Sequence, residues 1–126
     1  MTALYTLGVA EVADLVRRRE VSPVEVVEAC LTRLEAVEPA LQAWVTVDRQ
    51  NALAAAKQCE QAVQRGDTVG LLAGVPVGLK DIIYTAGLRT TAGSRVYANF
   101  VPAYDATVTV RLQKAGAVIL GKTVTT

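Results

Sequence analysis

A lysine stands inside an apolar run, Val75-Pro-Val-Gly-Leu-Lys80-Asp81-Ile-Ile83, where burying a charged amine would be costly. Desolvation lowers a lysine's pKa and makes the amine usable as a general base near neutral pH. The run is β-like, and Lys80 falls towards its carboxyl end, where α/β folds place their sites. The same string also describes a surface lysine where a strand exits, paired with Asp81, and the local pattern leaves both readings open. The chain of 126 residues has no histidine. Within it there is no Ser-His-Asp or Cys-His couple and no imidazole metal ligand. A general base here is a lysine, a carboxylate or a tyrosine.

Two further strings carry candidate chemistry. Gly116-Ala-Val-Ile-Leu-Gly121-Lys122-Thr123 matches the phosphate-binding pattern G-x-x-x-x-G-K-[ST]. That pattern needs a flexible loop after a strand, with its Lys-Thr opening a helix. Here the four intervening residues are apolar and β-prone, so the string is expected to be a strand, with Lys122 at its end and no role derived for it. Arg89-Thr-Thr-Ala-Gly-Ser94-Arg95 could line a pocket with backbone N–H groups and hydroxyls, or form an ordinary polar turn. Cys30 and Cys59 lie in helical patterns without a CxxC partner and read as small buried hydrophobes in a reducing, cytoplasmic setting.

These residues need elements to place them. Apolar residues make up 52% of the chain and charged residues 20%, a balance that builds a core. The net charge of +1 is too near zero to argue for nucleic acid or an anionic membrane as partner, and neither is expected; no apolar run is long enough to span a bilayer. Thr6 can cap a helix running to about Arg19, with Val9, Val12, Ala13 and Val16 on one face. The basic run Arg17-Arg18-Arg19 suits its last turn. Ser22-Pro-Val-Glu25 is a capping box with proline at the first helical position. The helix it opens carries Val27, Cys30, Leu31, Leu34 and Val37 inward and is expected to end at Glu38-Pro39. Trp44 to Val47 reads as a strand. Asp48 can cap an Ala-rich helix that stops at Gly66, and residues 66–70 are a linker. Residues 84–104 read as a long structured loop. Asp105 is expected to cap a helix over 106–115 closed by Gly116, although Thr107-Val-Thr-Val110 also alternates like a strand. Residues 117–120 read as a strand buried on both faces. The fold class is α/β: N-terminal helices, then the first strands of a mixed or parallel sheet with helices packed on it.

Taken together, four ordered blocks resemble the amidase signature family: Leu72-Ala-Gly-Val-Pro-Val-Gly-Leu-Lys80-Asp81, Thr90-Thr-Ala-Gly-Ser94, Asp105-Ala-Thr-Val108 and Ala115-Gly-Ala-Val-Ile-Leu-Gly-Lys-Thr123. Leu7 to Glu38 is similar to that family's paired N-terminal helices. The resemblance implies an amide hydrolase with a Ser–cis-Ser–Lys triad whose lysine, in the Gly-Val-Pro-x-x-x-Lys-Asp block, is Lys80 here. It implies acyl transfer: neutral Lys80 takes a proton from a bridging serine, which takes one from the serine that attacks the amide carbonyl. Backbone N–H groups hold the oxyanion. No metal or organic cofactor is implied, and the partner is a small-molecule amide. The family segment that supplies both serines would fall after Thr126, and Ser22 and Ser94 do not match it. On this reading residues 1–126 are the N-terminal part of one amidase domain, an incomplete amidase-signature fold. Residues 1–65 are mainly helical and 71–126 form an α/β segment with the lysine block. The chain would be inert as it stands, because such a system acts as a unit. Lys80-Asp-Ile and Gly121-Lys-Thr-Val-Thr-Thr look more like a general amidase than like the A-type component of a glutaminyl-tRNA amidotransferase. A non-catalytic helical interaction module is the alternative from another class, and exposed apolar helix faces would favour a homodimer.

Overall fold

The computed structural model describes residues 3–125. Helix α1 spans Val9–Arg17. It is shorter than expected, because Leu4–Thr6 forms a separate 3-10 turn and Gly8 takes the N-cap position. Arg17 is its last residue and Arg18 its C-cap, so only the first arginine of the basic run lies in the last turn and Arg19, at φ 61°, follows the helix. Val12, Ala13 and Val16 are buried, but Val9, in the first turn, is exposed. Helix α2 spans Pro23–Leu41 and opens as the sequence predicts. The Ser22 hydroxyl accepts from the Val24 N–H at 3.0 Å, and the Glu25 carboxylate accepts from the Ser22 N–H at 3.3 Å. Those bonds satisfy donors that a first turn leaves free. Its end differs from the expectation at Glu38-Pro39. A proline removes one helical N–H and crowds the carbonyl a turn back, and in the final turn little helix remains to lose. Gln42, at φ 49°, stops it instead. The Glu38 carboxylate then accepts from the Ala43 and Trp44 N–H groups at 2.8 and 3.0 Å, which turns the chain into the first strand.

Strand β1 is Trp44–Val47, and helix α3 is Arg49–Gln64, closed by Gly66 at φ 80°. Strand β2 is Pro76–Lys80, helix α4 is Thr107–Lys114 and strand β3 is Val118–Thr123. The sheet order is β1-β3-β2, with β1 antiparallel and β2 parallel to β3. The mixed sheet expected from the sequence is therefore present, with β3 longer than the apolar run 117–120. Helices α2 and α3 cover it: Val27, Leu31, Ala52 and Ala56 pack on Val118 and Leu120. The alanines of α3 let that helix approach the sheet closely. A second cluster joins Val12, Ala13, Val16, Val26 and Val63 to Ala73 and Val75 just before β2. Among the described residues, no helix is long and apolar enough to cross a membrane.

Asp105 does not cap α4, because Ala106 holds the N-cap position. The Asp105 carboxylate instead accepts from the Ala86 N–H at 2.7 Å, joining the two ends of the long loop. The Thr-Val alternation at 107–110 gives way to the helix, and the Thr109 hydroxyl donates to the Tyr84 carbonyl at 2.8 Å. Tyr84 also stacks on Phe100 and Tyr104, with ring centroids 5.5 and 5.3 Å apart. This cluster gives residues 84–104 a small core of their own.

The ladder between β2 and β3 pairs Val77 with Ile119 and Gly78 with Gly121, stepping over Leu120, and ends with Lys80 beside Thr123. Gly121 lies where β1 presses closest, and a Cβ there would overlap the Thr46 carbonyl oxygen. We expect Gly121→Ala to lower stability by about 1–3 kcal/mol, the usual cost of overpacking. Urea unfolding measures it, and a change below about 0.5 kcal/mol would show that β1 does not press on β3 in this way.

Candidate active site

Lys80 is the last residue of β2, at the strand's carboxyl end as the sequence predicts. Its surroundings are not those expected. Successive side chains of a strand point to opposite faces. Leu79 and Asp81 are buried, so Lys80 between them faces outward and is exposed. The apolar run does not bury Lys80, and Asp81 does not pair with it.

Asp81 turns inward instead. Its N–H donates to the Thr123 carbonyl at 3.0 Å, and its own carbonyl accepts from the Ala92 N–H at 2.8 Å. Its Oδ2 accepts from the Thr91 N–H at 3.2 Å and from the Thr91 hydroxyl. Its Oδ1 has no hydrogen-bond partner among the described residues and lies 3.9 Å from the Lys122 Nζ, an ion-pair separation.

Lys122 is the lysine that is buried. Its side chain has no solvent-accessible surface, and its Nζ donates to the Ile83 carbonyl and to the Thr90 hydroxyl, both at 2.7 Å. Burial pushes the Lys122 amine below the ordinary lysine range, and the Asp81 carboxylate partly offsets that. Of the two readings that the sequence left open for Lys80, the described residues show the exposed one, and the desolvated lysine among them is Lys122. The register sets Lys122 beside Leu79 and Thr123 beside Lys80, so the lysine that continues the buried strand is the one out of water.

The string 89–95 resolves in the same way. Thr90 and Thr91 are buried and bind Lys122 and Asp81, so this turn is a polar anchor. Ser94 accepts from the Val96 N–H at 3.2 Å and opens a 3-10 turn, while Ser22 caps α2 and donates to Glu60. The residues Ala117 to Thr123 form no phosphate-binding loop, since Val118–Thr123 is strand. Cys30 and Cys59 are free and half-buried, and burial raises both thiol pKa values, which makes thiolates scarce. On the face beside Lys80, Gly78 leaves room for Trp44, whose Cη2 would lie 2.7 Å from a Cβ there. The open groove between α2 and β1, lined by Leu34, Glu38, Trp44 and Arg49, does not include Lys80.

A family model described as Amidase matches residues 25–126. The chain belongs to the amidase family. Its fold is that of amidase-signature proteins: against the crystal structure of a bacterial aryl acylamidase of that family the TM-score is 0.90, at 28% identity, covering 97% of this chain and 26% of that one. Among curated proteins this amidase chain is 48% identical over 120 residues to the A-type component of glutamyl-tRNA(Gln) amidotransferase from Carboxydothermus hydrogenoformans, covering 95% of this chain and 25% of that protein. It is 46% identical over 120 residues to AmiD, a Mycobacterium tuberculosis protein named as an amidase, with the same two coverages of 95% and 25%. The chain thus spans about a quarter of the length of the curated relatives it matches. Identities this close do not separate the two names, so the leaning towards a general amidase finds no support in them.

Removing one partner of a buried pair strands the other charge, at a cost of roughly 3–5 kcal/mol. We expect Lys122→Met and Asp81→Asn each to destabilise the amidase chain on that scale in urea, and the double variant to cost less than the two together. Additivity within about 0.5 kcal/mol would show that the two groups are not coupled. A pH dependence follows from the direction of the Lys122 shift. Between its lowered folded pKa and the ordinary 10.5 the folded chain holds less of this proton than the unfolded one. The Lys122 contribution therefore makes stability rise with pH across that window. Lys122→Met should flatten the slope there, and an unchanged slope would contradict the assignment.

Proposed function

We propose that this chain supplies the general base, Lys80, to hydrolysis of a carboxamide C–N bond by a Ser–cis-Ser–Lys triad. The observation that carries the reading is the place of Lys80. It ends a strand of a parallel pair, in the Gly74-Val-Pro-x-x-x-Lys80-Asp81 block of an amidase-family chain, with its side chain directed out of the core. An amine in that position can reach a partner group beyond these residues, whereas the Lys122 amine has its bonds within the core. Residues 1–126 are then one part of a single amidase domain, with 1–65 supplying helical support and 71–126 the base. The partner is a small-molecule amide, and the 126 residues alone are inert because both serines come from elsewhere in the domain.

In a chain of the relatives' full length that carries these residues, Lys80→Ala should lower kcat/KM for simple carboxamides by about 10⁴-fold or more. Urea unfolding of the same variant separates a catalytic loss from unfolding: a stability within about 0.5 kcal/mol of the parent leaves the loss to the chemistry. A Lys80→Ala variant that retains most of its activity would sink the assignment.

A second reading, the A-type component of an amidotransferase, is favoured by the 48% identity to that component of glutamyl-tRNA(Gln) amidotransferase. Ammonia release from simple carboxamides, measured against amide transfer to glutamyl-tRNA(Gln), separates the two. Transfer without appreciable hydrolysis of simple amides would favour the amidotransferase.

A further inference from the structure

A lysine base is a flexible arm. Nothing in its own side chain fixes where the amine stands, so its position depends on the backbone that carries it. A tilt of about 10° at the Cα moves an amine roughly 6 Å away through about 1 Å, and a misplacement of 1 Å costs about 10²-fold in rate. The backbone after Lys80 is held unusually well. Asp81 uses its N–H on β3, its carbonyl on Ala92 and its Oδ2 on Thr91. Lys122, from β3, grips the carbonyl of Ile83 two residues further on and the Thr90 hydroxyl. The three residues that follow the base are thus clamped between a strand and a turn. An apolar pair of the same volume would be as stable or more stable, since burying charge is costly. Hydrogen-bonded charges supply direction, which apolar contacts do not.

We propose that Asp81 and Lys122 are a positioning pair that sets the direction of the Lys80 side chain, an inference that rests on the reading of Lys80 as the base. The pair lies in the core, on the side of β2 away from the Lys80 side chain, and acts on it only through the shared backbone. It touches no reacting atom.

The test uses a chain of the relatives' full length. Lys122→Met and Asp81→Asn should each lower kcat by about 10²-fold with KM within threefold of the parent. Either variant can fail to fold, so a milder pair decides the matter independently. Thr91→Val keeps the volume and the backbone N–H bond to Asp81 but removes the hydroxyl, and should lower kcat about 10-fold; Thr91→Ser should restore it to within threefold. Folded Thr91→Val with kcat within threefold of the parent would overturn the proposal, as would a loss that Thr91→Ser shares. Lys80→Ala in the same chain tells the two failures apart. If it is inactive while Thr91→Val is unaffected, only the positioning role falls. If it is active, the reading of Lys80 falls and the positioning role with it.

Discussion

The Asp81–Lys122 pair is the interaction on which this end of the molecule is arranged. Two charges out of water cost several kcal/mol each unless their remaining lone pairs and protons are used. Here the Asp81 Oδ2 and two Lys122 protons are used, on Thr91, Ile83 and Thr90, and the Asp81 Oδ1 faces the amine at 3.9 Å. Those same bonds bring the turn at 90–94 under the sheet edge and give the loop 84–104 a fixed point besides its aromatic cluster. They also decide what faces out. With Leu79 and Asp81 committed inward, the pleat leaves Lys80 only the other face. The outward direction of the Lys80 side chain is therefore a consequence of the burial of its neighbours.

Where the sequence carried a complete local signal, the structure follows it. Ser22-Pro-Val-Glu25 contains every group that its capping box uses, and α2 starts there. Gly66 and Gly116 both adopt positive φ after a helix, as a C-terminal glycine should. Where the outcome depended on distant residues, the local pattern misled. Asp105 had a capping side chain but a stronger use for it on Ala86. Pro39 marked a helix end, but a proline in the final turn costs little helix, and the helix stops at Gln42. Lys80 and Lys122 were told apart only by the register of a parallel ladder between segments far apart in sequence. Side-chain volume and β propensity could not show which lysine had a threonine, a carbonyl and a carboxylate waiting for it.

The two lysines illustrate how one sheet separates two uses of an amine. Side by side in the ladder stand Leu79 with Lys122 and Lys80 with Thr123, so the two amines belong to adjacent rungs. One has its bonds inside the fold and its affinity for a proton lowered by burial. The other is open to whatever approaches the carboxyl end of β2. In the function proposed for Lys80 the second amine is the one that works, and the first gives it a rigid mounting.

The parallel pairing of β2 with β3 also bears on the order in which the chain folds. Helices α2 and α3 are consecutive through one short strand and can meet early, since closing a short loop loses little chain entropy. The β2–β3 ladder cannot form until the whole of residues 81–117 has been gathered between its strands, a non-local contact of the kind that slows folding. The buried charges meet across that ladder, so each must shed its water at a late step, once the helices that cover the sheet are in place. The backbone that carries Lys80 thus acquires its final direction near the end of folding.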